Sequence, residues 1–420
     1  MHDLKKEENV ALLVGIDNGS GDIETSMDEL DELAKTAGIA TVGRLTQKLE
    51  RPNNATYLGK GKLDELEDLI WQQETEPTML IFNDELTPAQ FRKLSDRFDF
   101  IIIDRTLLIL DIFAMGASSA EGKLQVELAQ LRYRLSRLSG LGKMLSRLGG
   151  GIGTRGPGET KLETDRRHIR NRITNLESQL KEISKNRETM RKKREKQGAF
   201  VAALVGYTNA GKSSILNLMA SADVLVEDKL FATLDTTVRR VNLPGGMEIL
   251  LSDTVGFIEK LPHHLVRAFR ATLEELNYAD VLIFVVDAAN VNREKHRDVV
   301  MKTLDDLDIG EKRLITVYNK MDKDVELPLP PCSRSEKIVE MSAVTGMGTD
   351  NLLAAIEMIY NTGKTRMNVL IPYTDSKLIS YIHESCEILE ESHEEAGTFF
   401  EIIVDEEARN RLIAYKVEMV

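Results

Sequence analysis

One eight-residue stretch, 206–213, constrains the fold of this chain more than any other feature. It reads Gly-Tyr-Thr-Asn-Ala-Gly-Lys-Ser and fits the pattern G-x-x-x-x-G-K-S. The apolar run 200–205 before it predicts a buried strand, and the run 214–219 after it predicts a helix. Between a strand and a helix, such a loop directs main-chain N–H groups and the positive end of the helix dipole at phosphate oxygens. The stretch therefore predicts a phosphate-binding loop within an α/β domain.

The residue types in this loop match separate tasks in binding a nucleoside triphosphate. We expect the Lys212 amine to reach the β- and γ-phosphates and the Ser213 hydroxyl to hold Mg²⁺. The other loop residues are expected to surround the nucleotide: Gly206, Tyr207, Thr208, Asn209, Ala210, Gly211 and Ser214.

A DxxG motif, Asp253 to Gly256, follows the next predicted apolar strand. The Asp253 carboxylate is expected to bind Mg²⁺ through water, and the Gly256 N–H to sense the γ-phosphate. Before this motif, the polar segment 230–237 stands where a switch loop is expected to close over the metal. Its Mg²⁺ ligand is expected to be Thr233, with Thr236 and Thr237 as alternatives.

An NKxD motif, Asn319 to Asp322, and the later pair Ser342-Ala343 each follow a predicted strand. The Asp322 carboxylate can accept hydrogen bonds from the ring N–H and the amino group of guanine, whereas adenine offers neither in that arrangement. Asn319 is expected to brace the loops and Lys320 to lie along the base. A main-chain N–H of the Ser342-Ala343 pair is expected to meet the guanine carbonyl oxygen. Four motifs in this order predict GTP rather than ATP as the ligand.

Hydrolysis is expected to involve Lys212, Thr233, Gly256 and Asn209. The residue after the DxxG glycine is Phe257, which cannot orient a water molecule as a glutamine would. The Asn209 side chain could help hold a monovalent cation beside the phosphates. We therefore hypothesise slow intrinsic hydrolysis that a partner or K⁺ accelerates.

The composition is typical of a soluble protein with several domains. A length of 420 residues suggests two to four domains, and 42% hydrophobic with 29% charged residues is an ordinary globular mix. The two cysteines, Cys332 and Cys386, show no metal or redox spacing, and the charged N-terminus lacks an apolar signal core. Apolar runs such as 281–286 are too short to span a bilayer. We expect a cytoplasmic monomer with no membrane span.

Alternating strand and helix patterns predict a small parallel α/β sheet domain at 1–105. Within it, the basic run 59–62 favours a turn over a phosphate site, and the polar run 83–85 fits either a loop or a carboxylate site. We place a P-loop GTPase domain at 199–363 and a small α+β domain at 364–420. In the latter, residues 375–389 are predicted to be helical.

Residues 106–198 are predicted to form a helical arm. Apolar residues recur in steps of four and three over 124–138 and over 169–183, which is the heptad pattern of packed helices. Two such helices joined by a loop most simply form an antiparallel coiled coil, and a 26-residue helix would give an arm about 40 Å long. The tip loop, 149–160, is glycine-rich, so we expect no helix there.

Charge is distributed unevenly along the chain. Residues 123–200 hold 20 Lys/Arg and 8 Asp/Glu, a net charge of +12, so the rest carries −25 and the whole chain −13. A basic element on an acidic body suits a polyanion such as RNA, although a solvated helix face would show the same charge. A basic, glycine-rich tip can also approach an RNA backbone closely. The RNA contacts are expected from Arg147, Gly151, Gly153, Arg155, Gly156, Lys161, Arg166 and Arg167.

Over essentially its whole length the chain resembles the HflX family of translation-associated GTPases, in the Obg–HflX branch of P-loop GTPases. The resemblance rests on the segments 151–167, 121–131 and 231–235. Two departures are Ser136 and Thr236, where many relatives carry proline. The second of these leaves the hydrolysis rate open, since it lies in the expected switch loop.

The resemblance implies a GTPase that binds the large (50S) ribosomal subunit, with the arm tip near the peptidyl-transferase centre. It further implies that this GTPase splits stalled or idle 70S ribosomes under stress, and it supports Thr233 as the Mg²⁺ ligand. One alternative is a ribosome-assembly GTPase acting on the large subunit. Another is a non-catalytic RNA-binding scaffold, against which the intact nucleotide motifs argue.

Exchanging K⁺ for Na⁺ tests the cation hypothesis. If the Asn209 amide helps hold K⁺, phosphate release from GTP is expected to be faster in KCl than in NaCl, and Asn209→Ala should remove the difference. Equal rates in both salts, with Asn209→Ala behaving like the unchanged protein, would rule the hypothesis out.

Overall fold

The structure is a computed structural model that describes residues 9–19, 23–148, 157–196, 199–220, 237–260, 274–309, 311–330, 332, 334–404 and 406–417. These residues form a parallel-sheet domain, a helical arm, a P-loop domain and a C-terminal sheet domain, which confirms the predicted α/β multidomain class. Among them, no helix is both long and apolar enough to cross a membrane.

The N-terminal domain alternates strands and helices, as predicted: β1 (Val10–Asp17), α1 (Ile23–Thr36), β2 (Ala40–Lys48), α2 (Lys60–Gln72), β3 (Met79–Phe82), α3 (Pro88–Arg97), β4 (Ile101–Asp104) and α4 (Arg105–Gly116). The four strands are parallel, in the order β2-β1-β3-β4. Helices cover both faces of the central strands, which explains why β1 and β3 are unbroken apolar runs rather than alternating ones.

The packing of α4 does not agree with the domain boundary predicted at residue 105, because α4 packs in the core of the N-terminal domain. The sequence pattern groups α4 with the arm, but its Ile109 and Phe113 are buried in the same apolar cluster as Leu13 of β1 and Leu30 of α1. Buried residues occur around most of this helix, as expected for a core helix and not for a wall of an exposed arm.

The arm consists of α5 (Ala120–Leu148) and α6 (Pro157–Lys196). On α6 the predicted heptad seam is the less exposed face, and Leu176 at its centre is fully buried. Ion pairs between the helices flank the seam: Arg172 with Glu127, Arg132 with Glu177, and Arg187 with Glu121. With 40 residues, α6 is about 60 Å long, which exceeds the predicted length.

The tip loop ends earlier than predicted. The sequence predicts a loop up to residue 160, but α6 begins at Pro157 and includes Gly158. Proline is favoured at the first position of a helix because its fixed φ suits the helix and its missing N–H would have no partner there. This local effect prevails over the unfavourable helix propensity of Gly158. The rest of the predicted loop, 149–156, lies outside the described residues.

The P-loop domain is built around a six-stranded sheet: β5 (Val201–Gly206), α7 (Lys212–Ala220), β6 (Thr237–Asn242), β7 (Glu248–Asp253), β8 (Val281–Asp287), α8 (Arg293–Asp306), β9 (Arg313–Asn319), β10 (Lys337–Glu340) and α9 (Thr349–Tyr360). The strand order is β10-β9-β8-β5-β7-β6, and β6 alone among these strands runs antiparallel to its neighbour. The carboxyl ends of β5, β7, β9 and β10 lie at one edge, which brings the four motifs together.

The C-terminal domain is a three-stranded antiparallel sheet with two helices: β11 (Thr365–Ile371), α10 (Ser376–Ser385), β12 (Glu387–Glu394), β13 (Gly397–Val404) and α11 (Glu406–Leu412). A helix is predicted at 375–389, but the observed helix ends at Ser385 and residues 387–389 belong to β12. The acidic sequence of β12 is unfavourable for a strand, but its pairing with β13 determines its conformation.

The N-terminal and P-loop domains share one hydrophobic core. A continuous cluster of buried side chains includes Leu30 and Ile109 from the first domain together with Tyr207, Phe257 and Ile258 from the second. Because Phe257 and Ile258 directly follow the DxxG motif, the segment expected to respond to the γ-phosphate is packed against the N-terminal domain.

Candidate functional site

The phosphate-binding loop joins β5 to α7, and two of its glycines are required by close approach. A Cβ on Gly206 would lie 2.3 Å from the Val285 carbonyl oxygen of β8. A Cβ on Gly211, whose φ is +93°, would lie 2.2 Å from Nδ2 of Asn319. Since neither space admits a side chain, these glycines let the loop lie tightly against the ends of β8 and β9.

Lys212 is buried beneath this loop. Its Nζ donates hydrogen bonds to the main-chain oxygens of Gly206, at 3.2 Å, and Tyr207, at 2.8 Å. Burial lowers the pKa of the Lys212 amine to about 8, and the Asp253 carboxylate opposes this shift. Bound phosphate would add further negative charge beside the amine and favour its protonated form.

The predicted Mg²⁺ ligands Ser213 and Asp253 lie side by side. The Ser213 hydroxyl donates to Oδ2 of Asp253 at 2.7 Å, and the Thr254 N–H donates to Oδ1 at 2.9 Å. A hydroxyl and a carboxylate are hard oxygen donors of the kind that Mg²⁺ prefers alongside water and phosphate. These residues therefore fit the metal. Thr233, Thr236 and the rest of 221–236 lie outside the described residues, so the choice of Thr233 stays a prediction.

The DxxG segment lies directly against the phosphate-binding loop. A Cβ on Gly256 would lie 2.9 Å from Cα of Thr208 and 3.0 Å from Nζ of Lys212. The Phe257 N–H donates to the Gly206 oxygen at 3.1 Å, and the Thr208 N–H donates to the Phe257 oxygen at 2.8 Å. The Phe257 side chain is buried in the shared core, so its ring does not face the phosphate site.

The predicted base-binding residues are also brought together. The Asn319 side chain donates to the Ala210 oxygen at 2.9 Å and accepts from the Ala343 N–H at 3.0 Å, so it links the phosphate-binding loop to the Ser342-Ala343 loop. Lys320 forms an ion pair with Asp287 at 2.8 Å.

Asp322 lies beside Ser342 at the opening of this region. Its Oδ1 accepts a hydrogen bond from the Ser342 hydroxyl at 2.5 Å, which lowers the pKa of the Asp322 carboxyl. The carboxylate is therefore ionised and able to accept from the two donors of guanine.

The two runs of the N-terminal domain whose role the sequence left open, 59–62 and 83–85, make contacts within the protein. Lys60 begins α2, and the N–H of Gly59 before it donates to the Gln47 side chain, so this run is a helix start. Asp84 accepts from the Tyr57 hydroxyl at 2.5 Å and pairs with Lys260 of the P-loop domain at 2.7 Å.

Four of the eight predicted RNA-contact residues lie in the described helices of the arm. Arg166 and Arg167 lie on α6, and Arg167 is exposed. Arg147 lies in α5 and Lys161 in α6. Gly151, Gly153, Arg155 and Gly156 lie outside the described residues, so the RNA contact stays a prediction.

Sequence reasoning missed the contact between the nucleotide site and the N-terminal domain. The hydroxyl of Tyr207, in the phosphate-binding loop, donates to Oε1 of Glu29 on α1. The two residues are 178 positions apart, and Glu29 lies in an ordinary amphipathic helix pattern. Nothing in that local pattern indicates a role at the nucleotide site.

A phosphate-binding loop between a buried strand and a helix, followed by DxxG and NKxD motifs at the ends of the same sheet, defines a P-loop GTPase. Three family models match the chain: one described as "GTP-binding GTPase N-terminal" at 24–114, one as "GTP-binding GTPase Middle Region" at 116–194, and one as "50S ribosome-binding GTPase" at 201–320.

Full-length relatives narrow the assignment. The chain is 48% identical to the GTPase HflX of Lacrimispora saccharolytica, covering 96% of both chains. It is 49% identical to the GTPase HflX of Caldanaerobacter subterraneus subsp. tengcongensis, covering 98% of this chain and 95% of the relative. A crystal structure of a GTP-binding protein from Sulfolobus solfataricus with GDP aligns at a TM-score of 0.43 and 22% identity, covering 84% of this chain and 99% of that chain. The chain belongs to the HflX family and is an enzyme that hydrolyses GTP.

Replacing Asp322 by Asn tests the guanine contact. The amide keeps one acceptor but places an N–H₂ against the guanine amino group, so GTP affinity is expected to fall about 100-fold, as when charge-assisted hydrogen bonds worth about 3 kcal/mol are lost. Xanthosine triphosphate, which has an oxygen at that position, is expected to bind the variant better than GTP does. Asp324→Asn, in the same exposed loop, is the matched control. Unchanged GTP affinity of Asp322→Asn in a nucleotide titration would contradict the assignment.

Proposed function

We propose that this GTPase, in its GTP-bound form, binds the large (50S) ribosomal subunit and splits 70S ribosomes into subunits. The match of residues 201–320 to a family described as 50S ribosome-binding GTPases supports the ribosome as partner. The proposal rests on the long basic arm, because such an arm can reach RNA at a distance from the P-loop domain that binds the nucleotide. Its helix α6 extends for 40 residues within the segment of net charge +12.

The arm tip is the part that we propose contacts ribosomal RNA near the peptidyl-transferase centre. Lys and Arg side chains at the tip would neutralise phosphates, and glycines would let the main chain approach an irregular RNA surface. The buried Leu176 and the ion pairs between the helices join α5 to α6 along the arm that would carry this contact. We further propose that the protein acts in the cytoplasm as a monomer under stress.

Hydrolysis requires this chain to position phosphate, metal and water. Ser213 and Thr233 would hold Mg²⁺ directly, and Asp253 would hold it through water. The ion would neutralise charge on the β- and γ-phosphates. Lys212 would neutralise the same oxygens, and the Gly256 N–H would bind the γ-phosphate. Because the Phe257 ring is buried in the core, it does not orient the attacking water. We propose that hydrolysis is slow in the isolated protein and faster on the ribosome.

Sucrose-gradient sedimentation tests the proposal directly. Purified 70S ribosomes incubated with the protein and a non-hydrolysable GTP analogue are expected to separate into subunits, with the protein cosedimenting with the large one. Persistence of 70S particles would remove the splitting claim. Binding that is confined to immature large subunits would favour the alternative of a ribosome-assembly GTPase.

A variant that lacks residues 149–156 serves as the control for the arm. It removes the tip but leaves the nucleotide motifs intact, so it is expected to bind GTP normally and to leave 70S ribosomes whole. Loss of GTP binding in this variant would contradict a tip that acts at a distance from the nucleotide site.

A further inference from the structure

Tyr207 connects the phosphate-binding loop to two other parts of the molecule. Its side chain is buried, and its ring stacks on His296 of α8 with ring centroids 3.8 Å apart and planes 2° from parallel. Its hydroxyl donates to the Glu29 carboxylate of the N-terminal domain and accepts the Glu259 N–H at 2.7 Å. Burial and the Glu29 charge raise the pKa of the Tyr207 hydroxyl, so it remains a donor.

Arg105 completes the network from the other side. Its guanidinium donates from Nη2 to Oε2 of Glu29 and to the Glu259 main-chain oxygen at 3.3 Å, and from Nη1 to Asn83 at 3.1 Å. Both main-chain groups of Glu259 are thus bound, the N–H by Tyr207 and the oxygen by Arg105. The next residue, Lys260, pairs with Asp84.

The Glu29–Arg105 pair at the centre of this network is charged and largely buried, so it resists rearrangement. The Arg105 side chain is 2% exposed and that of Glu29 is 14% exposed. Charge-assisted hydrogen bonds are about twice as strong as neutral ones, and separating a buried pair leaves a charge without compensation. The segment from Gly256 to Lys260 is therefore held by Tyr207 of the phosphate-binding loop together with Arg105 and Asp84 of the N-terminal domain.

In this position the DxxG glycine lies next to the lysine that is expected to bind the γ-phosphate. Gly256 packs against Thr208 and lies beside the Lys212 amine, the group that serves the β- and γ-phosphates. A ligand with a γ-phosphate gains from finding Gly256 already in place, whereas GDP has no group to contact it. Contacts that hold this segment should therefore favour GTP over GDP.

We propose that Glu29, which belongs to none of the nucleotide motifs, is a positioning residue of the GTPase site. Acting through Tyr207 and Arg105, it holds residues 256–260 ready for the γ-phosphate and so makes the N-terminal domain a determinant of GTP-over-GDP selectivity. Glu29 would affect nucleotide binding by the isolated chain, whether or not the ribosome is its partner.

Nucleotide affinities of the full chain test the proposal without ribosomes. Tyr207→Phe keeps the ring and its stacking on His296 but loses the hydroxyl, and it leaves the Glu29–Arg105 pair intact. The dissociation constant for a fluorescent non-hydrolysable GTP analogue, divided by that for fluorescent GDP, is expected to rise about fivefold, within the usual range of coupling between sites. Glu29→Gln is expected to raise the same ratio. Glu32→Gln, on the exposed side of α1 beside Lys35, is the matched control and should leave it unchanged.

The double variant distinguishes positioning from general stabilisation. If Glu29 acts through the Tyr207 hydroxyl, the increase in the dissociation-constant ratio in the Tyr207→Phe/Glu29→Gln double variant should be well below the product of the increases in the two single variants. A purely structural role would lower the thermal unfolding midpoint while leaving the ratio unchanged. A rise of less than about threefold in Tyr207→Phe, or a fall, would overturn the proposal whatever happens to stability.

Discussion

The pairing of the phosphate-binding loop with the segment after the DxxG motif is the constraint on which the rest of the structure depends. Two main-chain hydrogen bonds join Gly206 and Thr208 to Phe257, and the Phe257 side chain anchors that segment in the core. The residue that replaces the usual water-orienting glutamine thus has a structural task. The same buried ring that holds residues 256–260 in place is also the reason we propose slow hydrolysis in the isolated protein.

The N-terminal domain contacts both the nucleotide site and the arm. In parallel α/β sheets, ligands commonly bind beyond the carboxyl ends of the strands. Here the end of β4 is used for internal contacts instead. Asp104 accepts hydrogen bonds from Tyr133 at 2.8 Å and from Arg137, both on α5. The adjacent Arg105 donates to Glu29 and to the main-chain oxygen of Glu259. Neighbouring residues of one strand end therefore join the arm to the phosphate-binding loop through buried polar contacts.

Most elements could be located from the sequence because the central strands of the first two sheets, such as β1, β3, β5 and β8, are short apolar runs that end in polar or glycine residues. The nucleotide site was predictable for the same reason, since its residues stand at strand ends in a fixed order. Two predictions were wrong. The start of α6 was predicted too late, because Pro157 favours the first helical position, and β12 was partly predicted as helix, because pairing with β13 determines its conformation. The contact of Tyr207 with Glu29 had no local signal, since it depends on how two domains pack.

If the proposal holds, the N-terminal domain and the γ-phosphate act on the same segment, residues 256–260. Hydrogen–deuterium exchange of the full chain, with GDP and with a non-hydrolysable GTP analogue, measures this most directly. We expect the analogue to slow amide exchange both in residues 255–260 and in α1, where Glu29 lies. Slower exchange in 255–260 with no change in α1 would contradict it.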